Sequence, residues 1–376
     1  MHCNVLSMKS GVSICFMNFF CFFTRCIPFA LGFLLATTVP VQAQTPGPTT
    51  ETTAGSTTSA VVFIYHRFGE DSLPLTNIRV SQFEAHLTEL SSGGYHVLPV
   101  PEILSALQEG RALPERTVGI TIDDGFYSVY TEAFPRLREA GFPFTVFIAT
   151  DSVDSGSENF MNWDQVRELA IHGVTIGAHT ASHLYMVNVS TSENREEIAR
   201  SNVRFREELG FIPELFAYPF GESGQRVSAL VKDAGYEAAF GQHSGAIYSG
   251  SDFFNLPRFA MNEKYGGIGR FRLVANALSL PVSDQLPTDM VLATGNPLVG
   301  FTVDEKIQRL DRLACFSSAG SKTTVENLGG RRIEVRFAEQ LPLGRSRLNC
   351  TLPGPDGRWR WLGIMLLRRP PPEIDE

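Results

Sequence analysis

From residue 60 onward the chain alternates short unbroken apolar runs with longer stretches where apolar residues recur every three or four positions. The first unbroken run, 60–65 (AVVFIY), is of the buried-strand type. Further runs predict strands at 117–122, 144–149, 174–178, 215–218 and 238–240. Helical spacing, such as Phe83, Leu87 and Leu90, predicts helices over 80–91, 101–109, 129–140, 193–209 and 227–233. Another is predicted over 164–170, behind an Asn162 cap. Strands alternating with helices over this length predict a parallel sheet covered by helices, either a barrel or a doubly wound sheet. After Leu280 the grammar changes. Residues 281–297 read as loop, and then come β-type runs at 312–316, 322–326, 332–337, 346–352 and 359–367, parted by Gly-Gly, Pro-Leu-Gly and Pro-Asp-Gly turns. The reading is a small antiparallel β-domain of sandwich type. Trp359 and Trp361, on alternate positions of its last strand, share a face that is either a binding platform or core.

The beginning of the chain follows neither pattern. Residues 1–43 hold two basic residues, Lys9 and Arg25, and no acid. An apolar stretch from Ile27 to Val39 precedes Val41-Gln42-Ala43, which suits a signal peptidase. The stretch is short for a membrane span, and no charge cluster follows it. Residues 44–59 are rich in Thr, Ser, Gly and Pro and read as a linker. The division is therefore a signal peptide (1–43), a linker (44–59), an α/β domain (60–280) and a β-rich accessory domain (281–376). An exported protein, periplasmic or secreted, follows, with no stable membrane span once the leader is removed. Four of the six cysteines lie in the leader, leaving Cys315 and Cys350 as one pair in a compartment that permits disulfides.

Composition adds exclusions. Hydrophobic residues at 43% and charged residues at 19% exclude a disordered or coiled-coil chain. A net charge of −8 gives no basic footprint for nucleic acid. The acidity is uneven: residues 44–280 carry 17 basic and 28 acidic residues, whereas 281–376 are nearly neutral. Such a field is expected to attract a cationic ligand.

Two strand ends carry candidate chemistry. The run 117–125 (TVGITIDDG) ends in adjacent carboxylates, Asp123 and Asp124, with Gly125 to permit a bend. The run 174–183 (VTIGAHTASH) ends in His179 and His183, four apart, a spacing that on a helical turn aims both imidazoles at one metal. Two histidines and one aspartate leave a position open for water, as in catalytic sites. His86, His96 and His172 have no such partners and read as structural or surface residues.

These strings, TIDDG, HTASH and then FAYPFG, resemble the polysaccharide deacetylase family, the NodB-homology or carbohydrate esterase family 4 proteins. Asp123-Asp124 match its first motif, His179 and His183 its second, Tyr218–Gly221 its third and Leu256-Pro257-Arg258 its arginine motif. The resemblance spans about residues 60–271. It implies an irregular (β/α) barrel and metal-dependent hydrolysis of N-acetyl groups on sugars. Tyr218 replaces the third motif's usual arginine, and the opening strand ends in Tyr65-His66, as in the branch resembling exported poly-N-acetylglucosamine deacetylases.

The resemblance implies a role for each residue. Asp124, His179 and His183 hold a divalent ion, zinc first, with cobalt, nickel or iron as alternatives. Asp123 is the general base, and Arg258 orients it. His66 is the general acid, with His243 in reserve. The Phe220 backbone N–H is the oxyanion donor. Tyr218 and Trp163 contact the sugar, although a core tryptophan at a helix start is an equal reading for Trp163. The expected function is removal of N-acetyl groups from an extracytoplasmic N-acetylated polysaccharide, with release of acetate. The alternatives are a catalytically weak glycan-binding protein on the same fold, and another metal-dependent amidase. Protein partners are not readable from the chain.

Overall fold

The computed structural model describes residues 56–370. The signal peptide, most of the linker and the end of the C-terminal tail lie outside the described residues. The strands β1 (Ser59–Tyr65), β2 (Thr117–Ile122), β3 (Thr145–Ile148), β4 (Thr175–Ala178), β5 (Leu215–Ala217) and β6 (Ala238–Phe240) pair in parallel, in the order β6-β5-β4-β3-β2-β1. Every residue of β1 and β2 is buried, because helices cover one face and side chains fill the other. That double burial is why these strands appear as unbroken apolar runs. β7 (Ala246–Tyr248) pairs antiparallel with β1, and β8 (Phe259–Ala260) pairs parallel with it, curling the sheet into a partial barrel.

The helices sit where the periodicity placed them, with ends shifted by one or two residues. Val80–Ser92, Val100–Gln108, Trp163–Ile171, Thr191–Leu209 and Gln225–Asp233 are α-helical. Asn162 caps its helix by accepting from the Gln165 N–H, with the Gln165 side chain returning the bond to complete a capping box. The helix expected at 129–140 differs. Its first part, Val129–Ala133, is wound wider as a π-helix, and only Phe134–Glu139 is α-helical. Pro135 cannot donate the usual backbone bond, which accounts for the change of winding.

The C-terminal strands are β9 (Val282–Leu286), β10 (Val299–Val303), β11 (Ala314–Ser317), β12 (Thr323–Asn327), β13 (Arg332–Phe337), β14 (Gly344–Pro353) and β15 (Trp359–Arg368). One sheet has the order β9-β10-β13-β12, and a second is built on the long β14–β15 hairpin with β11 at its side. Val299, Phe301, Ile333 and Val335 of the first sheet share a core with Leu348, Leu352, Ile364 and Leu366 of the second. A disulfide joins Cys315 and Cys350, which lie directly opposite across β11 and β14.

Three expectations need correction. Part of the 281–297 loop is the strand β9, whose polar, half-exposed sequence and register shift beside β10 hide it from an apolar-run reading. The pairing is not wholly antiparallel, since Leu278–Ser279 and Val291–Leu292 add to β15 in parallel. The end of the linker is ordered: Ser56–Thr57 pairs with Leu113–Pro114, and Ser59 already belongs to β1. Among the described residues no helix is long and apolar enough to cross a membrane.

Candidate active site

The chemistry-bearing residues follow the C-terminal ends of the parallel strands, where α/β sheets place their sites. At the end of β2 the Asp123 N–H donates to the Tyr65 carbonyl, and then the chain turns sharply through Asp124 (φ 75°) and Gly125 (φ 69°). A β-carbon on Gly125 would lie 2.8 Å from Ile148, so the turn needs glycine on space as well as conformation. The turn separates the two carboxylates: Asp124 lines the cleft, and the buried Asp123 meets Arg258.

Asp123 is wholly buried and paired in bidentate fashion with Arg258, itself wholly buried: Nη1 to Oδ1 is 2.7 Å and Nη2 to Oδ2 is 2.8 Å. Arg258 also donates to the Gly241 carbonyl (2.9 Å) and the Thr121 hydroxyl (3.0 Å), so its fork cannot swing. Burial alone pushes the Asp123 carboxyl up, but Arg258, with His179 and His66 adding to it, holds the group below its ordinary range, ionised at neutral pH.

Asp124 faces the histidines. Its Oδ1 lies 3.3 Å from His179 Nε2 and 3.2 Å from His183 Nε2. His179 Nδ1 donates to the Ala217 carbonyl (2.7 Å), which fixes the tautomer and leaves the Nε2 lone pair aimed at Asp124. Asp124 Oδ1 and His179 Nε2 are buried and make no hydrogen bond. Two acceptors with no partner, Asp124 Oδ1 and His179 Nε2, thus converge with His183 Nε2. The two separations from Asp124 match the edge of a tetrahedron about an ion held at 2.0–2.1 Å, which is about 3.3 Å. The donor set fits a zinc-class divalent ion.

The four-residue spacing of the histidines works through a kinked loop rather than the helical turn expected. Thr180 (φ 62°) and His183 (φ 58°) are both left-handed, and Glu197 pins the loop by accepting from the Ser182 N–H and hydroxyl. With Asp124 and Phe220 (φ 60°), four of the eight non-glycine residues with positive φ among the described residues fall in this site. Such strain is held only where the surroundings impose it, and it concentrates at functional sites.

Asp124 and His183 open into a cavity of about 590 Å³, also lined by His66 and Phe220. Burial lowers the His66 pKa, against the pull of Asp124 and Asp123. The Phe220 ring stacks on Tyr185 (centroids 3.5 Å apart) and meets His183 edge-on. A β-carbon on Gly221 would approach the Gln242 nitrogen to 2.4 Å, so this turn too depends on glycine.

Three candidates stand apart from the cleft. Tyr218 is wholly buried with its hydroxyl on the Phe254 carbonyl, because its side chain points into the sheet's core and away from the cavity. Trp163 is 8% exposed, bonds Asp154 through Nε1 and packs edge-on against Phe205, so it is core at a helix start. His243 lines a neighbouring cavity between barrel and C-terminal sheet. The structure brings His66, not His243, to the cavity that Asp124 and His183 line.

The sequence reading missed the far wall of the cleft. Ser318, Arg345, Arg347, Asn349 and Trp361, all from the C-terminal strands and their turns, line it beside Tyr265 and Arg270. The signal was present in β14, where Arg345, Arg347 and Asn349 alternate with buried Ser346, Leu348 and Cys350.

The family model for polysaccharide deacetylase matches residues 110–239, which contain the two carboxylates, both histidines and Phe220. Over these residues the chain is similar to the polysaccharide deacetylase family. A polysaccharide deacetylase-class protein of Bacillus subtilis (strain 168) is 26% identical over 208 residues, covering 55% of this chain and 72% of that one. A poly-β-1,6-N-acetyl-D-glucosamine N-deacetylase of Escherichia coli (strain K12) is 25% identical over 281 residues. That alignment covers 63% of this chain and 40% of the relative. Among solved structures, IcaB of Ammonifex degensii superposes with a TM-score of 0.53 at 25% identity, over 58% of this chain and 97% of that one. The deacetylase fold thus accounts for the barrel, and the cleft's far wall lies on strands beyond the matched residues.

Proposed function

We propose that the chain is a metal-dependent hydrolase that removes N-acetyl groups from an extracytoplasmic N-acetylated polysaccharide, breaking a carbon–nitrogen bond and releasing acetate. The supporting observation is the division of labour between adjacent carboxylates. Asp123 is locked to Arg258 and ionised, while Asp124 converges with His179 and His183 at the cleft. A divalent ion held by Asp124, His179 and His183, zinc before cobalt, nickel or iron, supplies Lewis acidity and lowers the pKa of water to about 7 in favourable sites.

The other roles belong to the chain. Each Asp123 oxygen accepts one bond from Arg258 and keeps a lone pair for the proton of the attacking water. Arg258 is a positioning residue. The Phe220 N–H, on its left-handed turn, is the donor for the developing oxyanion. His66 lines the cleft and delivers the proton to the departing nitrogen; negative charge developing on the substrate raises its proton affinity during the reaction. The signal peptide, linker and accessory domain are proposed with the boundaries given above, and with them export to the periplasm or medium.

The test is acetate release, with metal content measured in parallel, from N-acetylglucosamine oligomers, chitin, peptidoglycan and O-acetylated glycans. Acetate from an N-acetylated glycan supports the proposal. Glycan binding without acetate across several metals leaves the binding-protein reading, and turnover of simple amides or imides alone leaves the amidase reading.

A further inference from the structure

The cleft has two walls of different origin. The barrel supplies the metal ligands, and the C-terminal hairpin supplies arginines. Arg345 and Arg347 stand two apart on β14, so both project from the face opposite the sandwich core. Both line the same cavity as Asp124, His66, His183 and Phe220. Arg345 Nη1 donates to the carbonyl oxygen of Phe220, the residue whose N–H is the proposed oxyanion donor. Its nearest carboxylate is Glu222, at 3.9 Å.

Arg347 has less. Its backbone N–H donates to the Ser318 hydroxyl, but its guanidinium makes no hydrogen bond among the described residues, and Nε is buried without a partner. None of the described carboxylates lies within ion-pair distance of it. Burial and the neighbouring charge of Arg345 hold its pKa below the ordinary arginine range. Arg270, on the same cavity, is already bonded to the Ala260 and Tyr265 carbonyls and serves to tie that loop down. Among the described residues lining this cavity, the acid is Asp124, a proposed metal ligand.

Two guanidinium groups held side by side at the edge of water, facing one distant carboxylate, are costly unless something anionic completes them. The overall acidity of residues 44–280 suggested a cationic ligand, but charge at the cleft runs the other way. Arginine's planar fork suits carboxylate and phosphate oxygens.

We propose that Arg345 and Arg347 form an anion subsite of the deacetylation cleft, so that the preferred glycan carries a carboxylate or phosphate near the N-acetylated sugar. The inference rests on the deacetylase reading for its placement, and it makes the C-terminal sheet part of the substrate site. Asn349 and Trp361, linked by an indole N–H bond of 3.0 Å, continue the same wall.

The experiment uses the metal-loaded full chain and three oligomers of matched length. One is a neutral N-acetylglucosamine oligomer, one alternates N-acetylglucosamine with glucuronic acid, and one carries phosphodiesters between N-acetylhexosamines. Acetate release and calorimetric binding are measured for each, at low and at 0.5 M salt. The expected result is at least a tenfold preference in kcat/KM for an anionic oligomer, narrowing with salt. The two anionic arms identify the group. Arg347→Gln and the double variant R345Q/R347Q should bring the ratio to within about twofold, with Arg347→Lys between. Equal turnover of neutral and anionic oligomers, or a ratio the folded double variant leaves unchanged, overturns the subsite while the deacetylase reading stands. Salt-sensitive anionic binding that Arg347→Gln abolishes, with no acetate from any oligomer, keeps the subsite and removes the deacetylase reading. Neither binding nor turnover of any oligomer overturns both.

Discussion

Gly363 of the C-terminal hairpin sits against Ser244 of the barrel so closely that a β-carbon on it would lie 1.8 Å from the Ser244 carbonyl oxygen. The contact is backbone against backbone, so no side chain can move aside to relieve it. Two positions earlier, Trp361 meets Phe259 of the barrel edge-on at 5.2 Å. Gly363→Ala is therefore expected to lift the hairpin off the barrel, costing about 1–3 kcal/mol as other overpacked sites do. Urea denaturation measures the loss. Wild-type stability in the variant would mean that the two surfaces are not docked this tightly.

The same docking changes the meaning of the C-terminal part. Read as an accessory domain, residues 281–376 should be removable without loss of turnover on short oligomers. With five cleft-lining residues on that side, removal after Leu280 is expected instead to open the cleft and expose Phe259. Acetate release from a tetramer should fall at least tenfold, in a truncated chain whose residual helical circular dichroism shows the barrel still folded. Unchanged release from such a chain would return the sheet to an accessory role.

The Asp123–Arg258 pair predicts a shift with a definite sign. Arg258 holds the Asp123 carboxyl below its ordinary range, so Asp123 stays ionised well into acid. Arg258→Met removes that cation and leaves a buried carboxylate whose pKa rises, so the acid limb of the kcat/KM profile should move to higher pH. Breaking a buried pair from one side typically costs about 3–5 kcal/mol, so the variant's folding needs checking by circular dichroism. Arg258→Lys keeps the charge without the fork and should move the limb less. Coincident profiles for all three proteins would remove Arg258 as the residue that sets the base.

How much of this was legible depended on what each residue answers to. Asp123, Asp124, His179 and His183 follow strands buried on both faces, so the apolar runs located them and the order of motifs assigned them. The route by which His179 and His183 converge was not legible, because the spacing of a helical turn is also the spacing of a loop bent by two left-handed residues. Tyr218 lay in a motif yet points into the core, since a motif gives position along the chain and not the direction of a side chain. Arg345 and Arg347 were invisible as site residues for a different reason. Their alternation with buried neighbours marks a half-buried strand, but only docking through Gly363 shows which surface that strand faces. Strand β9 escaped because a polar edge strand has no apolar signature.

Metal binding can be tested apart from turnover. His183 is the most exposed of the three proposed ligands, with 28% of its side chain accessible, so replacing it disturbs the core least. Zinc added to the chelator-stripped wild type should raise Tm, since a ligand at 100 times its Kd stabilises by about 2.7 kcal/mol. His183→Ala should bind well below one metal per chain and lose most of that rise. A full metal complement in the variant would exclude His183 from the ligand set.

The last prediction concerns two histidines outside the chemistry. His86 is wholly buried, its ring stacked on Phe271 at 4.0 Å. Its Nε2 donates to the Gly266 carbonyl (2.7 Å), and its Nδ1 accepts from the Tyr65 hydroxyl (3.0 Å), an arrangement that fits the neutral ring. Burial lowers its pKa to about 4. His243, buried with Nδ1 unpartnered, is also lowered to about 4 by burial and then by Arg347 and Arg258. For each, the unfolded chain takes up the proton near 6.5 and the folded chain only near 4. Between those values the unfolded state binds more protons, so stability falls as pH falls through the window and levels off below it. Each site adds at most about 1.4 kcal/mol per pH unit. Other groups titrate in the same range, so the decisive quantity is a difference. His86→Asn should cost most at pH 7 and progressively less towards pH 4.5, because the variant no longer has the proton to exclude. Urea denaturation of both proteins at each pH measures it. A cost that stays constant across the window would show that His86 is not held neutral by the fold.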